Sequence, residues 1–164
     1  MTDLIITDIG MNQITDQIWL GNHLDAADKK KLGHHKIYHV LNLARSLPPA
    51  LNWEDGVNHF HCGMRDNSNH RAFYVAAMHI LEGILSSGGS VLVHCWQGIS
   101  RSPFIVACHL VKTGKFNSLR EAEVWLKDKR PIVNINAGHY KSFDPKDPSV
   151  FCAEFGSGVS DDEL

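Results

Sequence analysis

The run Val91-Leu92-Val93-His94-Cys95-Trp96-Gln97-Gly98-Ile99-Ser100-Arg101-Ser102 constrains this chain more than any other stretch. A short apolar strand ends in His94-Cys95, a loop containing Gly98 follows, and Arg101-Ser102 opens onto a helix-compatible segment. Strand, tight loop and helix in succession aim several backbone N–H groups at one point. The helix N-terminus adds its unpaired donors and the positive end of its dipole, and successive N–H groups in such a turn form an anion-binding concavity. Gly98 permits backbone angles that other residues resist. Arg101 supplies a planar fork for two phosphate oxygens, a geometry that lysine lacks.

Cys95 stands at the first position of this cradle, and the field that binds a phosphoryl group also favours its thiolate form. His94 reads as a structural residue that fixes the loop by hydrogen bonding rather than as a proton carrier. The Ser102 hydroxyl can donate to the sulfur and help it leave in a second step. Alone, Cys95 would read as an inert buried cysteine. With His94, Gly98, Arg101 and Ser102 at these spacings, the nucleophile is the better reading.

His94-Cys95-x5-Arg101-Ser102 resembles the signature loop of the cysteine-dependent protein tyrosine phosphatase superfamily, and its variant here is most similar to that of the dual-specificity phosphatases. Ile18-Trp19-Leu20-Gly21 and Tyr38 to Leu43 resemble two of that family's strands. Lys129-Arg130-Pro131 with Asn136-x-Gly138 resembles its C-terminal segment, although Trp19 replaces the usual tyrosine and Ile135 a typical proline. Together these matches run from about Ile14 to Phe143. The resemblance implies an α/β fold, with a central, mixed but mostly parallel sheet of four to five strands flanked by helices. The loop Trp96, Gln97, Gly98, Ile99, Ser100 and Arg101 would bind phosphate, with neither metal nor cofactor. An upstream aspartate would act as general acid, and Asp66 in Gly63 to His70 is the candidate, with Asp55 and His70 as rivals. On its own, Asp66 reads equally as a solvated carboxylate or an Asx turn. The implied reaction has two steps: attack by Cys95 with Asp66 protonating the leaving group, then hydrolysis of the phosphocysteine with Asp66 as base and Ser102 assisting the sulfur.

A length of 164 residues suits one core. The expected catalytic domain covers residues 1–144, and residues 145–164, with Gly-Ser-Gly and Asp161-Asp162-Glu163, read as a flexible tail. The net charge of −2 argues against a nucleic-acid partner, and no apolar run nears the ~20 residues that span a bilayer. No secretory signal is expected at Met1-Thr2-Asp3. Cys62, Cys95, Cys108 and Cys152 have neither metal-ligand nor disulfide-framework spacing. A reactive thiolate then points to a reducing compartment, the cytoplasm or also the nucleus, and a monomer is expected. Cys62 is expected at the end of a strand that neighbours the Cys95 strand, where it could trap oxidised Cys95 as a disulfide, although a plain core cysteine is the preferred reading.

Periodicity predicts strands at Ile14–Leu20, Ile37–Leu43, Val57–Cys62 and Ser90–His94. Helices are predicted at Leu24–Leu32, Arg71–Ser86, Pro103–Lys112, Leu119–Lys129 and near Gly138–Phe143. On the second helix the apolar stripe is taken as Phe73, Ala76, Ala77, Ile80, Leu81, Ile84 and Leu85. Ser118-Leu119-Arg120-Glu121 reads as a capping box. Asn136 either braces the phosphate loop, as the resemblance implies, or caps the last helix, and both can hold. Among eleven histidines, the groups His34, His35, His39 and His59, His61 have spacings a metal could use, but no joining ligands favour that reading.

Substrate class is narrowed by the loop's charge. Trp96, Gln97, Ile99 and Ser100 are uncharged, whereas phosphoinositide-directed relatives typically carry lysines there. A phosphorylated protein or peptide is therefore preferred over a phosphoinositide or an RNA 5′-phosphate. A non-catalytic phospho-binding module remains the alternative of a different class. No long pocket-wall insert resembles that of the strictly tyrosine-specific relatives, so a shallow pocket accepting phosphotyrosine and phosphoserine/threonine is expected.

Overall fold

Valine, leucine and isoleucine on successive strand positions bury both faces of a parallel sheet, and they place the loop after Val93 at the centre of the molecule. The computed structural model describes residues 10–46 and 56–147. The strands are β1 (Asn12–Gln13), β2 (Ile18–Gly21), β3 (His39–Ala44), β4 (Asn58–Met64) and β5 (Val91–His94). They form one five-stranded sheet in the order β1-β2-β5-β3-β4. Only the β1–β2 pair is antiparallel; β2–β5, β5–β3 and β3–β4 are parallel. This is the expected mixed, mostly parallel sheet.

The helices are α1 (His23–Ala27), α2 (Lys29–His34), α3 (Arg71–Ser86), α4 (Arg101–Lys112), α5 (Leu119–Lys129) and α6 (Ala137–Ser142). Val91, Val93, Leu41, Leu43, Ile18 and Leu20 face the main core under α3, α4 and α5. Leu92 and Val40 face the opposite side, where Leu32 and Ile37 cover them. Because the parallel strands point the same way, the loops after β2, β4 and β5 all leave from one end of the sheet. Ligands gather at that end in folds of this kind.

Several expected elements are corrected. Ile14–Leu20 is a strand only from Ile18. Before it, the Thr15 hydroxyl accepts from Gln17 N and Ile18 N at 3.2 and 3.0 Å, closing a turn back to the short β1. Leu24–Leu32 splits at Asp28, whose side chain accepts from Lys31 N at 3.0 Å and starts a second helix. The helix after the loop begins at Arg101, with Pro103 inside its first turn. On α3 the stripe is rotated: Tyr74, Val75 and Met78 are buried, whereas Phe73 is exposed. The proposed capping box is half formed. Ser118 Oγ accepts from Glu121 N, but Glu121 accepts from Asn117 N, one residue before the cap.

Cys62 does not lie on a neighbour of the Cys95 strand. Strand β3 separates β4 from β5, which puts the two backbones about 10 Å apart, too far for a disulfide without backbone movement. Cys62 Sγ instead donates to the Phe73 carbonyl at 3.5 Å, and burial pushes its thiol pKa up. Cys152, Asp55 and residues 148–164 of the expected tail lie outside the described residues.

Candidate active site

Six consecutive carbonyls of the loop after β5 are tied to groups outside the pocket. Cys95 O accepts from His94 Nδ1 at 2.9 Å, Trp96 O from His23 N at 3.0 Å, and Gln97 O and Gly98 O from Arg130 at 3.1 and 2.9 Å. Ile99 O accepts from Asn134 N at 2.8 Å and Ser100 O from Phe104 N at 3.0 Å. In a trans peptide the next N–H points opposite to the carbonyl, and no cis bond occurs among the described residues. The amides of Trp96 through Arg101 are therefore turned inward, toward one centre. Gly98 makes this path possible: its φ is +72°, and a Cβ there would run into the Gly21 carbonyl and lie 2.8 Å from the Arg130 guanidinium.

The centre is an open pocket of about 840 Å³ at the carboxyl end of the sheet, lined among others by Cys95, Ser100, Arg101, Asn136 and Asp66. Cys95 is 3% exposed, and its Sγ lies 3.4 Å from the Ser102 hydroxyl. Arg101 Nη1 donates to Met64 O at 3.1 Å, while its buried Nε has no hydrogen-bond partner among the described residues. Asp66, on the loop that leaves β4, is half exposed and accepts from His139 Nε2 at 3.1 Å. Burial pushes the Asp66 pKa up. Hydrogen bonds from His139 and Ser100, with the Arg101 charge, outweigh that and hold the carboxyl below its ordinary value. Asn136 does two things at once. Its side chain accepts from Gly138 N at 2.8 Å and caps α6, while its backbone N–H donates to Ser100 Oγ at 2.9 Å.

Known proteins resemble this chain in sequence and fold. The family model for the dual specificity phosphatase catalytic domain matches residues 18–144. The chain belongs to that family. Mouse dual specificity protein phosphatase 15 is 30% identical over 131 residues, which is 79% of this chain and 54% of the mouse protein. Dual specificity protein phosphatase 1 of Arabidopsis thaliana is 29% identical over 137 residues, 84% of this chain and 69% of that one. The chain therefore spans about half the length of the mouse relative. The crystal structure of DUSP15 superposes with a TM-score of 0.72 at 26% identity, covering 94% of this chain and 92% of that one.

The dual specificity phosphatase loop of this chain rests on a residue to which sequence reasoning gave no role. Arg130 has no solvent exposure and donates four hydrogen bonds: to Gln97 O and Gly98 O, as above, and to Gly10 O and Asn12 Oδ1, both at 2.7 Å. Its position after Lys129 was legible; its burial was not. His23 is a second such residue: its ring stacks on Trp96 at 4.2 Å and its Nδ1 lies 2.8 Å from Trp96 O. Trp96 is 44% exposed and stands at the pocket rim. His70, a rival acid, caps α3 by accepting from Ala72 N at 3.1 Å. His61 Nε2 is bonded to Ala44 O at 2.7 Å. No group of three or more His, Cys, Asp or Glu is placed to hold a metal among the described residues.

His94 gives a pH signature. Burial pushes its pKa down from 6.5 to about 4, with the bond to Cys95 O acting the other way. Between those values the unfolded chain binds a proton that the folded one refuses, so stability falls as pH drops through this window. The unfolding free energy in urea is expected to fall by about 3 kcal/mol from this group as pH goes from 6.5 to 4. The loss should be largely absent in His94→Gln. The Asp66 contribution lies lower, disappearing as pH falls through its depressed folded value below 3.8.

Proposed function

We propose that this chain hydrolyses phosphomonoesters of protein tyrosine and serine/threonine through a phosphocysteine intermediate. The observation that carries the reading is six tied loop carbonyls, which turn the following amides inward, around a pocket lined by Cys95, Arg101 and Asp66. Donors fixed before the substrate arrives need no reorganisation when charge develops on the equatorial oxygens. The unpartnered Arg101 Nε is a donor awaiting such an oxygen.

In the first step the Cys95 thiolate attacks phosphorus in line, the P–O bond to the leaving group breaks, and Asp66 delivers a proton to that oxygen. In the second, water attacks the phosphocysteine, Asp66 accepts its proton, and the sulfur leaves as thiolate beside the Ser102 hydroxyl. Phosphate is released and the site returns to its starting state.

The uncharged side chains of Trp96, Gln97, Ile99 and Ser100 support a peptide substrate over a polyanionic headgroup. The exposed Trp96 ring, stacked on His23, offers an apolar rim for a phenyl ring or an extended peptide. A thiolate nucleophile works only where thiols stay reduced, so we place the reaction in the cytoplasm or nucleus, on phosphorylated proteins. The test is kcat/KM on matched phosphotyrosine and phosphothreonine peptides without metal, with acid-quenched protein analysed for phosphate on Cys95. Both peptides are expected to turn over within about 10²-fold of each other. Turnover confined to phosphoinositides or RNA 5′-phosphates would overturn the substrate, and phosphopeptide binding without turnover would overturn the reaction.

A further inference from the structure

Resting on the reading of Asp66 as the general acid, we infer that His139 is the residue that positions that acid, through a directed hydrogen-bond relay running from Asn69 to Tyr74 to His139 to Asp66. The relay joins three separate pieces of the fold. His139 lies on α6, has no solvent exposure, and places Nε2 3.1 Å from Asp66 Oδ1 and Nδ1 2.9 Å from the Tyr74 hydroxyl. Tyr74, equally buried, lies on α3, and its oxygen accepts from Asn69 Nδ2 at 3.2 Å.

Each polarity in the relay follows from its ends. Once Asp66 has given up its proton it is a carboxylate, which only accepts, so in that state His139 Nε2 carries the hydrogen. The Nδ1 of a neutral imidazole then accepts, so the Tyr74 hydroxyl donates, and its oxygen remains free to accept from Asn69. Asn69 is also the clasp of the acid loop: its Oδ1 accepts from Arg65 N and its Nδ2 donates to Arg65 O, both at 2.9 Å. One residue on, α6 presses against the loop's far side. A Cβ on Gly138 would lie 2.7 Å from the Asn67 carbonyl carbon, so glycine is what lets helix and loop meet. The imidazole is locked in turn by stacking on Phe104 at 5.2 Å and by its edge contact with Tyr74 at 5.9 Å.

The consequence concerns the acid alone. As Asp66 gives its proton to the leaving oxygen, the charge left on the carboxylate meets the His139 N–H, and the carboxyl stays aimed into the pocket for the return transfer from water. Cys95, Arg101 and the loop amides do not pass through this relay. In the first chemical step its loss should therefore be felt only where leaving-group protonation matters, whereas hydrolysis of the phosphocysteine is common to all substrates.

The experiment compares phenyl phosphate, a poor leaving group, with 4-nitrophenyl phosphate, which needs little acid assistance. His139→Phe keeps the ring stack and removes both hydrogen bonds. We expect it to lower kcat/KM, which reports only the steps up to departure of the leaving group, about tenfold on phenyl phosphate, part of the 10²–10⁴-fold that a positioned acid supplies, with under about twofold change in kcat/KM on 4-nitrophenyl phosphate. His139→Gln, whose amide can donate from a similar position, should recover much of the loss. Tyr74→Phe should show a smaller loss of the same selectivity. In an Asp66→Asn background, His139→Phe should add nothing. Independently of turnover, side-chain 15N spectra should show His139 protonated on Nε2, with that resonance shifting in Asp66→Asn.

An equal loss on both substrates, or none on either, overturns the positioning role. So does a His139 protonated on Nδ1. If Asp66→Asn leaves phenyl phosphate turnover intact, Asp66 is not the acid and the inference falls with it. If the wild-type chain turns over no phosphomonoester, the functional reading has failed, and the 15N spectra still decide whether the relay exists.

Discussion

Cys95→Ser is expected to lower kcat on any phosphomonoester by at least about 10⁴-fold, because an alkoxide is far less accessible than a thiolate at neutral pH. The exchange is conservative in every other respect. Cys95 is nearly buried, and serine keeps a polar atom in reach of the Ser102 hydroxyl that now sits 3.4 Å from the sulfur. The six inward amides and Arg101 are untouched, so affinity for inorganic tungstate should remain within a fewfold of the parent in a calorimetric titration. Loss of both turnover and anion binding would mean that the sulfur holds the loop open rather than attacking. Retained turnover would remove Cys95 from the chemistry.

Arg130→Met is the substitution expected to damage the molecule most without altering any group that faces the pocket. It deletes four hydrogen bonds and leaves the carbonyls of Gly10, Gln97 and Gly98 without that donor, the last of them on a buried residue. The orphaned buried acceptor costs about 1–3 kcal/mol and each of the other lost bonds about 0.5–1.5 kcal/mol, so a loss of about 3 kcal/mol in the urea unfolding free energy is expected. Activity should fall as well, by about 10²-fold in kcat/KM, since a displacement on the order of 1 Å in a positioning group has that effect. Arg130→Lys should restore little, because one ammonium cannot replace a planar fork that joins β1 and the residue leading into it to the phosphate loop. A variant destabilised to this extent but fully active would show that the loop holds its shape by its own backbone.

Much of the fold was legible because its signals are local. Strand-loop-helix at Val91 to Ser102 and the full extent of α3 and of α5 follow from apolar periodicity and from where glycine and proline fall, while the mostly parallel sheet was implied by the family resemblance. What escaped was settled by contacts between distant residues. The α3 stripe is the clearest example. Phe73 and Tyr74 both lie on faces with helical period, and nothing nearby in sequence says which turns inward. Tyr74 turns inward to meet His139, on a helix far along the chain, with its hydroxyl 2.9 Å from Nδ1. The same holds for the site. Cys95, Arg101, Ser102 and Asp66 could be named from one loop and one resemblance. Arg130, His139 and the strand β3 that separates Cys62 from Cys95 are matters of who meets whom.

The ties of Arg130 also set when the anion cradle can exist. The loop at Gln97-Gly98 is held by a residue that follows it by more than thirty positions, and the same guanidinium grips Gly10 and Asn12, the first pieces of the sheet to be made. These are among the most sequence-distant contacts in the molecule, and distant contacts are closed late because loop entropy must be met first. On a ribosome, a chain that has emerged only through the signature loop would carry every residue of the cradle but lack Arg130 and Asn134, which hold the carbonyls of Gln97, Gly98 and Ile99. The cradle of a nascent chain is thus fully fastened only after the helix that ends at Lys129 has followed it out.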